Sequence, residues 1–129
     1  MILDSSAIVA ILFEEPEAVA LAGAIRQADA MAIAAPTILE AAVVVEGRAL
    51  PGIADQLDAL LGAIGPEVVP FTAEHARIAR EGWRRFGKGR HPAGLNLGDC
   101  FAYALARSRG EPLLFKGDDF SKTDVKAAL

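Results

Sequence analysis

At 129 residues, 53% of them hydrophobic, the chain has the size of one domain and can bury a core without the help of metal or disulfides. Cys100, the one cysteine, excludes an internal disulfide and suits a reducing cytoplasm; Asp4 interrupts the N-terminal apolar stretch, and no run reaches the ~18 apolar residues of a membrane span, so neither a signal peptide nor a membrane segment is expected. The net charge of −4 divides unevenly: residues 1–67 have only Arg26 and Arg48 as bases, whereas six bases lie between Arg77 and Arg90, so a local basic arm accompanies an acidic remainder rather than a surface basic throughout.

Met1-Ile2-Leu3 reads as a short buried strand, stopped by Asp4-Ser5-Ser6, with a helix beginning in the apolar run Ala7 to Phe13. Pro16 and the acids around it favour a second helix through about Gln27, since proline suits a first turn and acids suit its positive end. Met31 to Ala35 reads as a second buried strand, and Pro36-Thr37 opens a helix reaching about Arg48. Ile53, Leu57, Leu60, Leu61 and Ile64 have helical spacing, closed by Gly65-Pro66. Val68-Val69 is a minimal strand, Thr72 to Phe86 a helix, Gly87 to Leu95 a loop, Asn96 to Arg109 a helix ended by Gly110, and Leu113 to Phe115 a last strand. Short apolar strands alternating with helices indicate an α/β sandwich around a mostly parallel sheet, in one domain spanning residues 1–129.

Such sheets place their ligand site outside the carboxyl ends of the strands. Asp4 sits where the first strand ends, and Asp118 and Asp119 follow the last strand at the equivalent place. Glu40 and Asp99 begin helices, whose N-termini face the same edge. Both have a plainer reading as capping-box residues, in Thr37-Ile38-Leu39-Glu40 and Asn96-Leu97-Gly98-Asp99. Four carboxylates brought together repel one another, and a hard divalent cation resolves the conflict; all-oxygen ligation suits Mg²⁺ or Mn²⁺. His75 and His91 are expected at the surface and Cys100 in the core, which disfavours zinc. Neither a phosphate-cradling glycine loop nor a serine elbow is present, which leaves hydrolysis by metal-activated water.

Four stretches carry a family resemblance: Met1-Ile-Leu-Asp4-Ser-Ser-Ala-Ile-Val-Ala10, Glu40 early in its helix, Leu95-Asn-Leu-Gly-Asp99-Cys-Phe-Ala-Tyr-Ala104, and Pro112-Leu-Leu-Phe-Lys-Gly-Asp-Asp-Phe120. With these the chain resembles the PIN-domain ribonuclease toxins of bacterial toxin–antitoxin pairs, the VapC type. The resemblance implies a PIN-like three-layer sandwich, Mg²⁺-dependent endoribonuclease activity, a cognate antitoxin and a homodimer. It makes Asp4 and Asp99 the main metal ligands and Glu40 the third acid. Asp118 or Asp119 is the fourth; Asp118 is favoured, because Asp119 is placed to cap the final helix. Ser5 or Ser6 could position a water or a phosphate.

Two other readings stay open at this level. A receiver-like signalling domain shares the length and the acidic pocket but needs paired acids after its first strand and a mid-chain aspartate after another. Asp4 stands alone, and Asp55 and Asp58 fall within a helical pattern. A catalytically inactive PIN-type binding module is the second. For RNA the candidates are Arg77, Arg80, Arg84, Arg85, Lys88 and Arg90, foremost Arg84, Arg85 and Arg90, on a helix face and the loop after it. A negative pocket would also accept a basic side chain from the antitoxin, and Ile8, Ile11, Leu12 and Phe13 are candidates for a partner surface.

Overall fold

A computed structural model describes residues 1–129. Four short strands, β1 (Ile2–Leu3), β2 (Ala32–Ala34), β3 (Glu67–Val69) and β4 (Leu113–Leu114), form one sheet in the order β3-β2-β1-β4. Every pairing is parallel, with Ile2 and Leu3 opposite Leu113 and Leu114 and with Ala32, Ile33 and Ala34 opposite Glu67, Val68 and Val69. Six α-helices connect and cover the strands: α1 (Ser5–Leu12), α2 (Ala18–Gln27), α3 (Ala35–Glu46), α4 (Ile53–Ile64), α5 (Ala73–Phe86) and α6 (Leu97–Arg109). No helix is long and apolar enough to cross a membrane.

Strand side chains alternate between the two faces of the sheet, and the core divides accordingly. Ile2, Ala32, Ala34 and Leu113 pack with residues of α5 and α6, among them Phe86, Tyr103 and Leu105. Leu3, Ile33 and Leu114 pack on the opposite side with Ile8, Leu21, Val45 and Leu57 of α1 to α4. The result is three layers, helices on both faces of a buried parallel sheet, as parallel strands require.

Local chemistry explains most of the boundaries. Gly65 and Gly110 end α4 and α6 in the left-handed conformation, at φ 63° in both cases, where a side chain would be strained. Thr72 caps α5 by accepting from the His75 backbone N–H, while His75 Nδ1 accepts from the Thr72 N–H at 3.1 Å. His75 is therefore buried and not a surface residue, because its ring closes the cap. His91 is half-buried, its Nδ1 accepting from the Ala93 N–H at 3.1 Å. Against the helix face of Tyr103, only glycine fits at position 82: a Cβ there would come within 2.3 Å of the tyrosine ring.

Three elements differ from the expectation. The third helix begins at Ala35, with Ala34 of β2 as its N-cap and no side-chain cap bond, because the strand runs into the helix without a turn. The chain end returns to the sheet, where the Leu113 N–H donates to Lys126 O at 2.8 Å and the Ala128 N–H to Leu113 O at 2.9 Å. Ile8, considered for a partner surface, is fully buried, and Ile11, Leu12 and Phe13 are half-buried against the same cluster.

Candidate active site

Parallel pairing of β1 and β4 sets the carboxyl ends of the two strands side by side, and the Asp4 N–H donates to Leu114 O at 3.0 Å. Asp4 is the first residue after β1 and the N-cap of α1. Glu40 lies in the second turn of α3 and Asp99 in the first turn of α6. These two helices and α1 bring the three acids to one cavity of about 330 Å³, lined also by Ser5 and Ser6. The larger hollow of about 850 Å³, between α2 and the chain end, has Asp29 as its only acidic side chain, so size does not coincide with chemistry.

Asp4 is only 1% exposed. Its Oδ2 accepts from the Ser6 N–H at 3.0 Å and from Ser6 Oγ–H, and Ser6 Oγ accepts in turn from the Lys116 N–H at 3.0 Å. Its Oδ1 is buried with no hydrogen-bond partner. Burial pushes the Asp4 carboxyl up to about 7; the Ser6 bonds act the other way, and the charges of Asp99 and Glu40 raise it further. The Glu40 carboxylate accepts from Ser5 Oγ–H and rests on the first turn of α6, where a Cβ on Gly98 would fall 1.0 Å from Glu40 Oε2. Asp99 Oδ2 accepts from the Asn96 N–H at 2.9 Å, and Asn96 Oδ1 accepts from the Asp99 N–H at 2.9 Å. Burial pushes Asp99 up to about 6, opposed by the Asn96 bond and helped by the charges of Glu40 and Asp119.

The two capping readings thus part company. Glu40 is not a capping residue, because α3 starts earlier than its Thr37 suggests. Asp99 closes a capping box through one oxygen and lines the acidic cavity as well. Of the two acids after β4, Asp119 is the one whose charge raises Asp99. Both are exposed; what Asp118 contributes locally is its carbonyl, which accepts from Ser121 Oγ–H at 2.6 Å. Asp119 also makes no side-chain cap bond to the 3₁₀ turn Phe120–Lys122, which removes the reason for favouring Asp118. Gly98 and Lys116 had no assigned role in the sequence reading; Gly98 next to Asp99 was the available signal for a close approach.

The donors fit a hard cation. All are oxygens, and Asp4 Oδ1 is a buried acceptor that lacks a donor, costly unless a positive group meets it. The side chains are not closed up around a common point, since no group of three His, Cys, Asp or Glu is spaced to grip an ion; Glu40 is turned to Ser5 and Asp99 to Asn96.

The basic arm is partly self-paired. Arg77 pairs with Glu81 at 3.2 Å and Arg85 with Asp124 at 2.9 Å. The Arg90 guanidinium lies over the Trp83 ring, 4.2 Å from its centroid, while Arg84 stands exposed on α5.

The PIN domain family profile matches residues 1–126. Ribonuclease VapC of Mycolicibacterium smegmatis is 46% identical over 127 residues, 98% of either chain. Ribonuclease VapC28 of Mycobacterium tuberculosis is 47% identical over 130 residues, all of this chain and 98% of that one. The structure of VapBC-5, a member of the VapBC family of toxin–antitoxin systems from Mycobacterium tuberculosis, superposes with a TM-score of 0.66 at 25% identity, covering 98% of this chain and 92% of that one. With the sheet order, the carboxylate cavity and full-length likeness in agreement, the chain belongs to the PIN-domain family, among the VapC ribonucleases.

Proposed function

We propose that residues 1–129 act as a single PIN domain, a Mg²⁺-dependent endoribonuclease and the toxin of a toxin–antitoxin pair. The observation that carries the metal site is Asp4 Oδ1, a buried oxygen with no donor beside two further acids. Asp4 and Asp99 would hold the ion, with Glu40 in support and Asp119, rather than Asp118, as the fourth acid. Mg²⁺ is favoured over softer metals by the all-oxygen donors, and Mn²⁺ is a substitute. Bound there, the ion supplies activated water and offsets the charge that builds on the phosphodiester.

The chain's own residues prepare that site. Ser6 fixes Asp4 Oδ2 and leaves Oδ1 for the ion. Asn96 fixes Asp99 Oδ2 and leaves the other oxygen uncommitted. Ser5 holds Glu40 against Gly98. Arg84, Arg85 and Arg90 would hold the RNA backbone, Arg85 after exchanging Asp124 for phosphate. The partner would be a short antitoxin whose arginine enters the carboxylate cavity and competes with the cation; the toxin itself would work as a cytoplasmic homodimer.

Total cellular RNA incubated with the purified protein, with sequencing of the new ends, tests the activity. Cleavage that EDTA abolishes and Mg²⁺ restores is expected. RNA left intact in Mg²⁺ would instead make this an inactive PIN-type binding module.

A further inference from the structure

The carboxylate cavity is lined by four acids, Asp4, Glu15, Glu40 and Asp99, and by one basic side chain, Lys116. An RNA phosphate approaching those acids is repelled by each of them. A bound cation offsets part of that repulsion, but it sits among its ligands. A second positive group is needed where the phosphate oxygens arrive.

Lys116 is built into the site from its backbone outward. It follows β4, whose Leu114 O accepts from the Asp4 N–H, and the Lys116 N–H donates to Ser6 Oγ, the same hydroxyl that holds Asp4. Its Cα is thereby tied to the metal-site loop, while the ammonium stays at the end of a flexible stem. The ammonium is paired with Glu15, and Glu17 Oε2 lies 3.9 Å away. Glu15 reaches the cavity from a turn in which Glu14 takes φ 50°, a left-handed conformation that is costly for a non-glycine residue. A partly exposed ion pair repays little in folding, so a strained turn that delivers a carboxylate to this lysine points to a role at the site.

We propose that Lys116 is a substrate-binding residue that meets the non-bridging oxygens of the RNA phosphate at the carboxylate cavity, and that Glu15 holds its ammonium there until the phosphate replaces it. The assignment rests on the ribonuclease reading above. It deepens that reading by naming a charge contact that the carboxylates cannot make themselves. Glu15 then acts as a competitor of the substrate, so the two members of the ion pair have opposite effects on RNA binding. A pair that merely tethers the α1–α2 turn to the sheet would give the same effect from either side.

The test uses a synthetic copy of an RNA segment that the wild-type protein cuts, with cleavage followed across a range of salt. Lys116→Met should raise KM about tenfold, as expected for one lost charge-assisted contact, with a much smaller change in kcat. Its salt dependence should flatten by about 0.7 in logarithmic slope, the share of one phosphate contact on a single strand. Lys116→Arg should restore both quantities, and Glu15→Gln should lower KM. Thermal melts of each variant separate misfolding from lost binding; because Glu15→Gln keeps Lys116 in place, it tests the proposal even where Lys116→Met does not fold. Loss of affinity in Glu15→Gln comparable to that in Lys116→Met, or an unchanged salt slope in Lys116→Met, would overturn the assignment. If the wild-type protein cuts no RNA, the ribonuclease reading falls and this one with it. If Asp99→Asn abolishes cutting while Lys116→Met leaves KM and slope untouched, only the Lys116 assignment falls.

Discussion

Asp4 shows what the sequence disclosed at the scale of one residue and what it hid. An acid directly after a buried strand was legible as a candidate site residue, because parallel sheets place their ligand site outside the carboxyl ends of the strands. Its burial, its bond to Ser6 and its orphaned Oδ1 were not, since they depend on which chain segments close over it. The same limit applies to Asp118 and Asp119, where adjacent identical residues give no signal of which one lies nearer to Asp99. Burial raises Asp4 from its ordinary range to about 7 and Asp99 to about 6. In the folded, metal-free protein the proton is therefore held more tightly than in the unfolded chain. The stability this brings is complete below about pH 4 and is lost as pH rises through the folded values. The metal-free protein should melt roughly 10 °C lower at about pH 8 than at about pH 5. At the proposed site Mg²⁺ would bind the ionised form, so it should raise the melting temperature more at the higher pH; Asp4→Asn should abolish the Mg²⁺ response and leave only the smaller pH dependence that Asp99 contributes. A flat melting profile with no Mg²⁺ response at either pH would contradict the metal site.

Among the elements, those with explicit end signals were legible. Asn96 and Thr72 begin α6 and α5, and Gly65 and Gly110 end α4 and α6. Where no turn residue intervenes, as between β2 and α3, the boundary shifted and took the capping reading of Glu40 with it. The return of Lys126 to Ala128 to the sheet edge left no trace either, because three residues cannot show an alternating pattern. Gly98 joins this scale to the site: it lets α6 pass close enough to α3 for Glu40 to lie on its backbone. Replacing it by alanine improves helix propensity by about 1 kcal/mol, and the obstructed atom is the end of a flexible side chain. The fold should therefore survive Gly98→Ala with an unchanged or higher melting temperature. Displacement of the Glu40 carboxylate should nevertheless lower cleavage about 100-fold, the order expected when a reacting group is misplaced by about 1 Å. Full activity in a folded Gly98→Ala protein would show that the position of Glu40 is not critical.

Over the whole molecule, the charge asymmetry of the sequence becomes a spatial separation of acids and bases. The carboxylates gather where strands β1 and β4 end, and the basic residues lie on α5 and the loop that precedes α6. The parallel sheet was legible from the alternation of strands and helices, and with it the edge on which distant acids meet. Side-chain pairing was not: Arg77 is engaged with Glu81 and Arg85 with Asp124, so the basic arm presents fewer free charges than its composition suggests. Asp99→Asn tests most directly whether the acidic cavity is the nuclease centre. Asparagine keeps the shape and an oxygen able to accept from the Asn96 N–H, so the capping box of α6 can persist while one negative charge is lost. Cleavage of cellular RNA in Mg²⁺ should fall to the level of the EDTA control while the melting temperature stays close to wild type. An Asp99→Asn protein that is folded and still cuts RNA at the wild-type rate would contradict the account.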